Sequence, residues 1–377
     1  MKKAPKIRIK GFEGEWKECQ IGHIAPLQRG FDLPTSNLIP GNYPVVYSNG
    51  IGFYHAKYKC QAPGLVTGRS GTIGKFTLIP EGYYWPHNTT LWVTDFMGND
   101  PLFVDYLYQT IHFENYMMGS GVPTLNRNTI HNQHVFIPSS NEQRAIATYF
   151  RHIDSLIETA DKKLASLKQV KEASLQSMFP KEGQKVPEVR FKGFEGEWKI
   201  DELGNLFTER VESDVFAEML SVTLSQGIIK ANENGRYDNS NNDKSKYRLV
   251  KVGDIAYNSM RMWQGASGYS PYYGIVSPAY TVVVPNNNVD SCFFAYMFKT
   301  AIMIKQFRLH SQGLTTDTWN LKFPAFSKID VTYPADTAEQ RKIASFFVHL
   351  DKQIAIAQQR LDLLRRIKSA CLNEMFV

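Results

Sequence analysis

The chain has 377 residues, of which 43% are hydrophobic, and 43 basic against 36 acidic residues give it a formal net charge of +7. This length exceeds one ordinary domain, and the apolar content is sufficient for two buried cores. The four cysteines are scattered without a CxxC pair, and neither an export signal nor a membrane-spanning run is present, which favours a cytoplasmic protein without a disulfide framework.

The chain begins with a segment that recurs in its second half. Residues 10–17 read Lys-Gly-Phe-Glu-Gly-Glu-Trp-Lys and reappear letter for letter as residues 192–199. A second shared block, Glu-Gln-Arg, starts at Glu142 and returns at Glu339. The stretches between these blocks differ in length and in most of their residues. The pattern indicates a tandem duplication in which two related frames hold two different inner modules.

The inner stretches, about residues 18–138 and 200–335, are rich in aromatic, β-branched and turn residues. This composition predicts compact modules with short strands and Gly/Asn turns. The predicted fold is α+β, with two globular mixed α/β domains in a tandem repeat, joined by two long helices that pair with each other. The predicted boundaries are 1–140 for the first module, 141–180 for the first helix, 181–336 for a linker and the second module, and 337–377 for the second helix.

Each module is followed by apolar residues at spacings that alternate between four and three. This period of 3.5 is typical of a coiled coil. The predicted seam consists of Ile146, Phe150, Ile153, Ile157, Leu164, Leu167, Ile343, Phe347, Leu350, Ile354, Leu361 and Leu364. Lys171 and Lys368 interrupt the seam at equivalent positions, which predicts that the last third of each helix packs loosely or faces another protein.

The start of each long helix carries the spacing of a capping box. Ser139 stands three residues before Glu142, and Asp336 stands three residues before Glu339. In a capping box the glutamate side chain reaches back to the first residue of its own helix. We therefore expect the two long helices to start at these residues.

None of the candidate catalytic motifs in the sequence has the residues and spacing that its chemistry requires. The segment from Gly68 to Lys75 resembles a phosphate-binding loop, but its glycine spacing is one residue too long and Phe76 replaces the metal-binding Ser or Thr. Glu15 and Lys17 lack the upstream Pro-Asp of a nuclease site. The chain has no Asn/Asp-Pro-Pro-Tyr tetrapeptide and no glycine-rich turn for a methyl donor. We therefore predict no catalytic residue and no metal site in this chain.

Polar, basic and aromatic residues occupy predicted turns of both modules, and these residue types contact phosphates and base edges. Arg69 and Arg261 are the favoured base readers, because a bidentate guanidinium on guanine is the commonest specific contact. The predicted DNA-binding residues are Tyr47, Ser48, Asn49, Arg69, Ser70, Lys75, Asn126 and Arg127 in the first module, and Ser225, Gln226, Asn258, Ser259, Arg261, Trp263, Gln264, Thr315, Thr316, Trp319 and Lys322 in the second.

The ordered motifs resemble those of the specificity subunits of type I restriction-modification systems. They are Gly-Phe-x-Gly-Glu-Trp at the start of each repeat and Pro-x(3 to 4)-Glu-Gln-x-x-Ile-Ala at the start of each long helix. The resemblance implies two target-recognition domains in a pseudo-twofold repeat, each reading one half of a gapped double-stranded DNA site. It also implies that the two long helices form an antiparallel coiled coil that sets the gap. It also implies methyltransferase subunits and ATP-dependent restriction subunits as partners. S-adenosylmethionine, ATP and magnesium would bind to those partners, with no cofactor in this chain.

Two other hypotheses stay open from the residues alone. One is a DNA-modifying enzyme with an unrecognised site, which saturable binding of a methyl donor by the isolated chain would support. The other is a coiled-coil adaptor that joins two protein-binding modules without a role on DNA. A salt-dependent shift of bipartite duplex DNA by the assembled complex would argue against the adaptor.

Overall fold

The computed structural model describes residues 4–119, 123–224, 227–234 and 243–377. The chain forms two compact units, of which the first comprises Met1–Lys162 with Gln359–Val377 and the second comprises Lys163–Gln358. Each unit therefore contains one inner module, the beginning of one long helix and the end of the other. The predicted α+β class and the two long helices are confirmed.

The first unit is built from short strands and three short helices before its long helix begins. Its elements are β1 Lys17–Gln20, α1 Ile21–Ile24, β2 Leu27–Arg29, β3 Pro40–Tyr47, β4 Gly50–His55, β5 Cys60–Gln61, β6 Gly64–Gly68, β7 Phe76–Ile79, β8 Tyr83–Pro86, β9 Thr90–Val93, α2 Pro101–Thr110, β10 Met117–Met118, β11 Thr124–Leu125, α3 Arg127–His131, β12 His134–Ile137 and α4 Ser140–Ser177, whose last part belongs to the second unit. Short 3-10 turns lie at Thr35–Asn37 and Phe113–Tyr116.

Two four-stranded sheets organise the first module. One has the order β2-β9-β6-β7 and is antiparallel throughout, and the other has the order β4-β3-β8-β5 with a parallel pair between β3 and β8. Strand β1 pairs antiparallel with β12, which brings the two ends of the module together. The main core packs α2 and the start of α4 against the first sheet.

The second unit repeats this plan with different inner strands. Its elements are β13 Lys199–Glu202, α5 Leu203–Leu206, β14 Phe207–Glu209, β15 Leu220–Thr223, β16 Gly227–Lys230, β17 Arg248–Val250, β18 Ile255–Asn258, β19 Ser267–Tyr269, β20 Gly274–Val276, β21 Tyr280–Pro285, α6 Ser291–Met297, α7 Ala301–His310, α8 Phe323–Phe326, β22 Asp330–Tyr333 and α9 Thr337–Met375, whose last part belongs to the first unit. Its 3-10 turns lie at Ala231–Asn234 and Met262–Gln264.

The main sheet of the second unit has the order β14-β21-β18-β19, which matches the order of the first sheet strand for strand. The pair β13-β22 closes this module as β1-β12 closes the first. The pairs β15-β16 and β17-β20 complete the module. The two modules thus share one central sheet and one closing strand pair, and they differ in the strands added between them.

In the first unit the end of α9 packs antiparallel against the start of α4. Lys368 Nζ lies 2.7 Å from the Asp154 carboxylate and 5.3 Å from the centroid of the Tyr106 ring. The Tyr106 hydroxyl donates to the same carboxylate at 2.7 Å. Phe376 lies 6.0 Å from Phe150 between ring centroids, so residue numbers rise on α9 as they fall on α4.

The second unit repeats this contact with the end of α4 against the start of α9. Lys171 Nζ lies 2.5 Å from the Asp351 carboxylate and 5.7 Å from the Tyr296 ring, and the tyrosine hydroxyl donates to that carboxylate at 2.8 Å. Phe179, just after α4, stacks on Phe347 with 6.0 Å between centroids. The prediction of loose packing is wrong at both seam lysines, because a carboxylate and an aromatic face stabilise each ammonium group.

The predicted seam residues face inward along both helices. Ile146, Phe150, Ile153, Leu164, Ile343, Phe347, Leu350 and Leu361 are buried, and Ile157, Leu167, Ile354 and Leu364 are half-buried. This distribution is what a 3.5-residue apolar period produces when each helix buries one stripe.

A buried ion pair explains the first repeated motif. Arg8 donates from Nε and Nη2 to the two carboxylate oxygens of Glu142, each at 2.8 Å. The same guanidinium donates to the backbone oxygens of Gly14 at 2.6 Å and Glu13 at 3.0 Å. Trp16 Nε1 adds a longer bond of 3.4 Å to Glu142. The hydrogen bond to Glu142 raises the pKa of the Arg8 guanidinium, and the motif is fixed to the start of α4.

The second motif is held in the same way. Arg190 donates to both carboxylate oxygens of Glu339 at 2.7 and 2.8 Å, and to the backbone oxygens of Gly196 at 2.6 Å and Glu195 at 3.2 Å. Trp198 differs from its counterpart, because its buried Nε1 has no hydrogen-bond partner among the described residues. The repeated sequence therefore encodes one structural clamp at the start of each long helix.

Helices α4 and α9 begin at Ser140 and Thr337, next to the residues that marked their starts, and the side chains of Glu142 and Glu339 bind arginines instead of their own first turns. Glu142 and Glu339 are each 2% exposed, and a buried carboxylate gains more from a bidentate arginine than from one backbone N–H group. The preceding residues still serve the first turns. Ser139 Oγ accepts from the Glu142 N–H at 3.5 Å, and Asp336 Oδ1 accepts from the Ala338 N–H at 2.8 Å.

The glutamine of each Glu-Gln pair ties its long helix to a shorter one. Gln143 Oε1 accepts from the Asp100 N–H at 3.0 Å, and Gln340 Oε1 accepts from the Asp290 N–H at 2.7 Å. Asp100 caps α2 and Asp290 caps α6 through their side-chain oxygens. These contacts fix the central sheet of each module relative to the adjacent segment of long helix.

Candidate nucleic-acid interface

In the first unit, the segment that follows β6 is held against β11. The N–H groups of Arg69 and Ser70 both donate to the Thr89 oxygen, at 2.8 and 3.2 Å. Arg69 in turn accepts from the Leu125 N–H at 2.8 Å, and Ser70 forms an isolated bridge with Thr124. The backbone is therefore fixed on both sides of Arg69, and its half-buried side chain emerges from a rigid position.

The turn between β3 and β4 lies against the same loop. Lys75 Nζ donates to the Asn49 oxygen at 2.7 Å. Ser48 lies so close to Gly68 that a Cβ on this glycine would be 3.0 Å from the Ser48 Cβ. Tyr47 ends β3 beside them, half-buried, and burial raises the pKa of its hydroxyl. The predicted residues of the 47–49 turn and of the 69–75 loop therefore form one continuous surface.

An open pocket of about 390 Å³ lies at the end of β6. Its walls include Arg69, Asn126 and Arg127, three residues predicted from the sequence, together with Arg29, which was not. Within the part of the chain that the structure describes, the Arg69 and Arg127 guanidinium groups have no hydrogen-bond or ion-pair partner. Three guanidinium groups around one opening suit phosphate oxygens or the O6 and N7 atoms of guanine.

Arg29 was not predicted from the sequence, because this residue lies far along the chain from the predicted turns. It ends β2, where it pairs with Leu91 of β9, and its only ion-pair partner within the described ranges is the exposed Asp32 at 3.4 Å. Gly30 follows it, and a Cβ there would lie 2.1 Å from the His87 oxygen. An Arg-Gly pair at the end of a predicted strand is the signal that could have revealed this residue.

In the second unit, the equivalent loop follows β18. Ser259 is 6% exposed, and its Oγ hydrogen-bonds Thr281 Oγ1 at 2.9 Å. Its backbone oxygen accepts from the Leu321 N–H at 2.8 Å. The structure therefore gives Ser259 a supporting position beneath the loop, which does not favour the direct DNA contact expected from the sequence.

A pocket of about 220 Å³ lies beside this loop. Five of the predicted residues line it, which are Asn258, Arg261, Trp263, Gln264 and Thr316. Met260, Ala279 and Asp317 complete the wall, and sequence analysis did not select them. The pocket combines a cation, a carboxylate, two amides and an indole, which together offer hydrogen-bond donors and acceptors to base edges.

The indole groups beside this pocket support each other. Trp263 and Trp319 meet edge to face with 5.4 Å between centroids, and the Arg308 guanidinium lies 5.4 Å from the Trp319 ring. Trp319 and Trp263 are both half-buried. Among the other predicted residues, Thr315 and Lys322 are exposed. Ser225 and Gln226 lie outside the described residues.

The ammonium group of Lys299 binds the backbone of the turn beside this pocket. This residue was not predicted from the sequence. Its Nζ donates to the backbone oxygens of Gly265 and, at 2.7 Å, of Ser267. Burial, with a smaller effect from the charge of Lys171, lowers the pKa of this ammonium to about 8. An ammonium that bonds two carbonyl groups fixes the backbone next to Gln264, so the polar side chains above it are presented from a rigid turn.

The described ranges contain no cluster of three or more histidine, cysteine, aspartate or glutamate residues suited to a metal ion. No helix in those same ranges is long and apolar enough to cross a membrane.

The type I restriction modification DNA specificity domain matches this sequence twice, over residues 13–169 and over residues 197–366. The chain belongs to this family. Each match covers one module with most of the long helix that follows it. The specificity domain is therefore the repeated unit seen first in the sequence, and the two candidate pockets lie in its two copies.

Solved structures show the same fold. A type I restriction-modification S subunit from M. genitalium is similar over 99% of this chain and 99% of its own, with a TM-score of 0.66 and 14% identity. A chain from a structural study of complex assembly and conformational transition of the type I R-M system is similar over 96% of this chain and 97% of its own, with a TM-score of 0.51 and 12% identity. No curated protein sequence matches the chain.

Proposed function

We propose that this specificity subunit reads a gapped double-stranded DNA target, with one half-site read by each module, and that it carries no catalytic centre. One observation supports the proposal most directly. The two copies of the specificity domain hold pockets at the same end of the same sheet strand, and these pockets present different side chains. Two copies with one chemistry would suit a symmetric site, whereas two chemistries suit two unlike half-sites.

The first pocket is suited to guanine and phosphate. Arg69 lies nearest the fixed strand end, and we propose it as the base reader. Arg29 and Arg127 line the same pocket. Phosphate contacts position a protein on the duplex, whereas base contacts select the sequence. We therefore propose that these two arginines bind phosphates and orient Arg69 in the groove.

The second pocket is suited to a more varied set of bases. Arg261 can bind guanine, the side-chain amides of Asn258 and Gln264 can pair with adenine, and Asp317 can accept from the cytosine amino group. Each of these groups lies at the wall of one pocket, so a short run of bases could meet several of them. We propose that this module reads the half-site of mixed composition.

We propose that methyltransferase subunits and ATP-dependent restriction subunits supply the chemistry. S-adenosylmethionine, ATP and magnesium would then bind to those partners, and the complex would act in the cytoplasm. The absence of recognisable methyl-donor and nucleotide-binding motifs in the sequence supports this division of roles. The apolar and aromatic residues exposed on α4 and α9, among them Tyr149, Ile356 and Leu363, offer surface for such partners.

Methylation mapping of genomic DNA tests the proposal. DNA from cells that express this chain with its methyltransferase partner is compared with DNA from cells that lack only this chain. We expect a split, non-palindromic motif that disappears with the gene. Loss of no motif, with the partner shown to be expressed, would contradict the proposal, and so would saturable binding of S-adenosylmethionine by the isolated chain.

We also propose that the lengths of the two long helices set the gap between the half-sites. Helix α4 has 38 residues and α9 has 39. Insertion of four residues adds about 6 Å of helix. Matched insertions after Leu167 and Leu364 should lengthen the gap in the methylated motif, whereas an insertion after Leu167 alone should misalign the pair and abolish methylation. An unchanged gap after the matched insertions would contradict this role of the helices.

A further inference from the structure

We propose that Leu314 is a wedge that enters a base-pair step of the half-site read by the second module and unstacks it. The inference rests on the proposed function, because it concerns how the second module engages duplex DNA. The second module would then recognise DNA through base contacts and also through DNA deformation. In the second mode, a sequence is favoured because its base step is deformed at a low energetic cost.

The exposure of Leu314 is complete. Its relative accessibility is 101%, which exceeds that of every other large hydrophobic residue that the structure describes. Its neighbours Thr315, Thr316 and Asp317 are polar and exposed, so the leucine stands as a single apolar point within a polar turn. A protein-binding surface needs a contiguous apolar patch, which these neighbours do not provide.

The turn that carries Leu314 is rigid. Gln312 and Asn320 exchange two backbone hydrogen bonds of 3.0 and 2.8 Å, which close the base of the turn. Within it, the Thr318 N–H donates to the Thr315 oxygen at 2.9 Å, and the Thr318 hydroxyl donates to the same oxygen at 2.9 Å. A backbone held by such a turn loses little further entropy when the side chain that it carries inserts into another molecule.

Glycine is required immediately before Leu314. Gly313 has a φ of +147°, and a Cβ there would lie 2.6 Å from the Thr318 oxygen. The glycine therefore lets the chain pass closely over Thr318 and then turn outward at Leu314. The turn is also braced from below, because Trp319 packs on Trp263 and under the Arg308 guanidinium.

The position of Leu314 makes duplex DNA the fitting occupant. Thr316 lines the pocket with Arg261, and two residues of chain span at most about 7 Å between Leu314 and that wall. A DNA duplex bound by the pocket would therefore meet the leucine. Proteins that kink DNA insert Leu, Met, Phe or Pro side chains between base steps, next to cationic groups that hold the backbone.

The first module keeps an apolar residue at the corresponding place in its sequence. Gly121-Val122-Pro123-Thr124 parallels Gly313-Leu314-Thr315-Thr316, with the apolar residue directly after the glycine in both copies. Val122 lies outside the described residues. The repeat therefore supports a shared role for this position on the basis of sequence alone.

Base unstacking can be measured with 2-aminopurine, whose fluorescence rises when it leaves the base stack. The full chain, assembled with its methyltransferase partner and without methyl donor, is bound to duplexes that carry one 2-aminopurine at successive positions other than the base that the complex methylates. We expect wild type to increase fluorescence at one step in the half-site whose recognition requires Arg261. Leu314→Ala should abolish that increase and weaken binding of the target by about tenfold.

Two variants make the result specific. Leu314→Met keeps a long apolar side chain and should retain most of the fluorescence increase. Val252→Ala removes another exposed apolar side chain, 62% accessible, in the turn that precedes β18 rather than in the turns that follow it. This control should behave as wild type, because β18 separates Val252 from the pocket.

The outcomes separate the inference from the proposed function. If wild type fails to bind the split duplex, the proposed function itself is wrong. If wild type binds it but Leu314→Ala keeps the fluorescence increase, or wild type shows none, the wedge is wrong and the proposed function stands. Loss of methyltransferase association by Leu314→Ala, measured by size-exclusion chromatography with light scattering, would assign Leu314 to a protein contact and also overturn the wedge.

Discussion

The two units hold their pockets with the same backbone contact and fill them with different side chains. In the first, the Leu125 N–H donates to Arg69 at the end of β6, and in the second, the Leu321 N–H donates to Ser259 at the end of β18. At this position the first unit presents a guanidinium to the pocket, whereas the second turns a hydroxyl inward to Thr281. The shared backbone contact fixes the position of the residue that follows each strand, and the side chains determine which chemical groups each pocket can bind.

A second contrast lies at the end of the first strand of each central sheet, β2 and β14. Arg29 ends β2 opposite Leu91, and Glu209 ends β14 opposite Val283, so the two residues occupy equivalent places with opposite charge. The first pocket is lined by cations without a carboxylate among the described residues, whereas the second includes Asp317. We therefore expect the first module to depend more strongly on phosphate contacts than the second.

The largest expected effect comes from breaking the shared frame. Arg8→Ala and Arg190→Ala each leave a buried carboxylate unpaired, which should lower the free energy of unfolding of the affected unit by about 3–5 kcal/mol. The two losses should be similar because the clamps have nearly identical geometry. Urea denaturation followed by circular dichroism measures both.

The matched control replaces both members of one clamp by apolar residues. Arg8→Met combined with Glu142→Leu removes the charge with its partner and should recover most of the lost stability. A much smaller loss of unfolding free energy in Arg190→Ala than in Arg8→Ala would show that the two clamps are not equivalent. It would then contradict the view that the two pockets lie on equivalent scaffolds.

A smaller effect is expected from the base readers, and each should be confined to one half-site. Arg69→Ala and Arg261→Ala should each reduce discrimination at their own half-site by about 1–3 kcal/mol, because each removes one bidentate contact. Competition binding of the assembled complex, with duplexes altered in one half at a time, measures the effect. Arg69→Lys keeps the charge but loses the planar fork, so it should retain nonspecific binding and lose discrimination. Equal loss at both half-sites in Arg69→Ala would refute separate readers.

The smallest expected effect concerns salt. If Arg29 binds one phosphate, Arg29→Ala should reduce the slope of log K against log salt concentration by about 1, uniformly across sequences. Glu209→Gln at the equivalent place should not reduce the slope, because a carboxylate binds no phosphate. A titration of target binding from low to physiological salt measures both slopes. An unchanged slope in Arg29→Ala would place this arginine outside the DNA contact.

Local patterns in the sequence were enough to predict the large elements. The 3.5-residue period depends on neighbours along the chain, and the duplication shows this period twice, so both long helices follow from the sequence. The ion pair of Glu142 could not be predicted from local patterns, because its partner Arg8 lies 134 residues earlier. The signal was nevertheless present, since Arg8 and Arg190 stand two residues before the two copies of the repeated motif.

The candidate sites were predicted in part for a similar reason. Turn position and residue type selected Arg69 and Arg261, which line the two pockets. The same criteria selected Ser259, whose side chain turns inward, because the sequence does not show which face of a turn meets the core. They missed Arg29, which reaches its pocket only through the pairing of β2 with β9.

The place of Phe376 bears on the order in which the units can form during synthesis. Its ring completes the first core, where it lies 5.6 Å from Phe103, 6.3 Å from Trp16 and 6.0 Å from Phe150. The second unit needs only residues 163–358. Domains usually fold in the order in which the ribosome delivers them. We therefore expect that the second unit can close before the first, because the core of the first includes a segment that leaves the ribosome after the whole second unit.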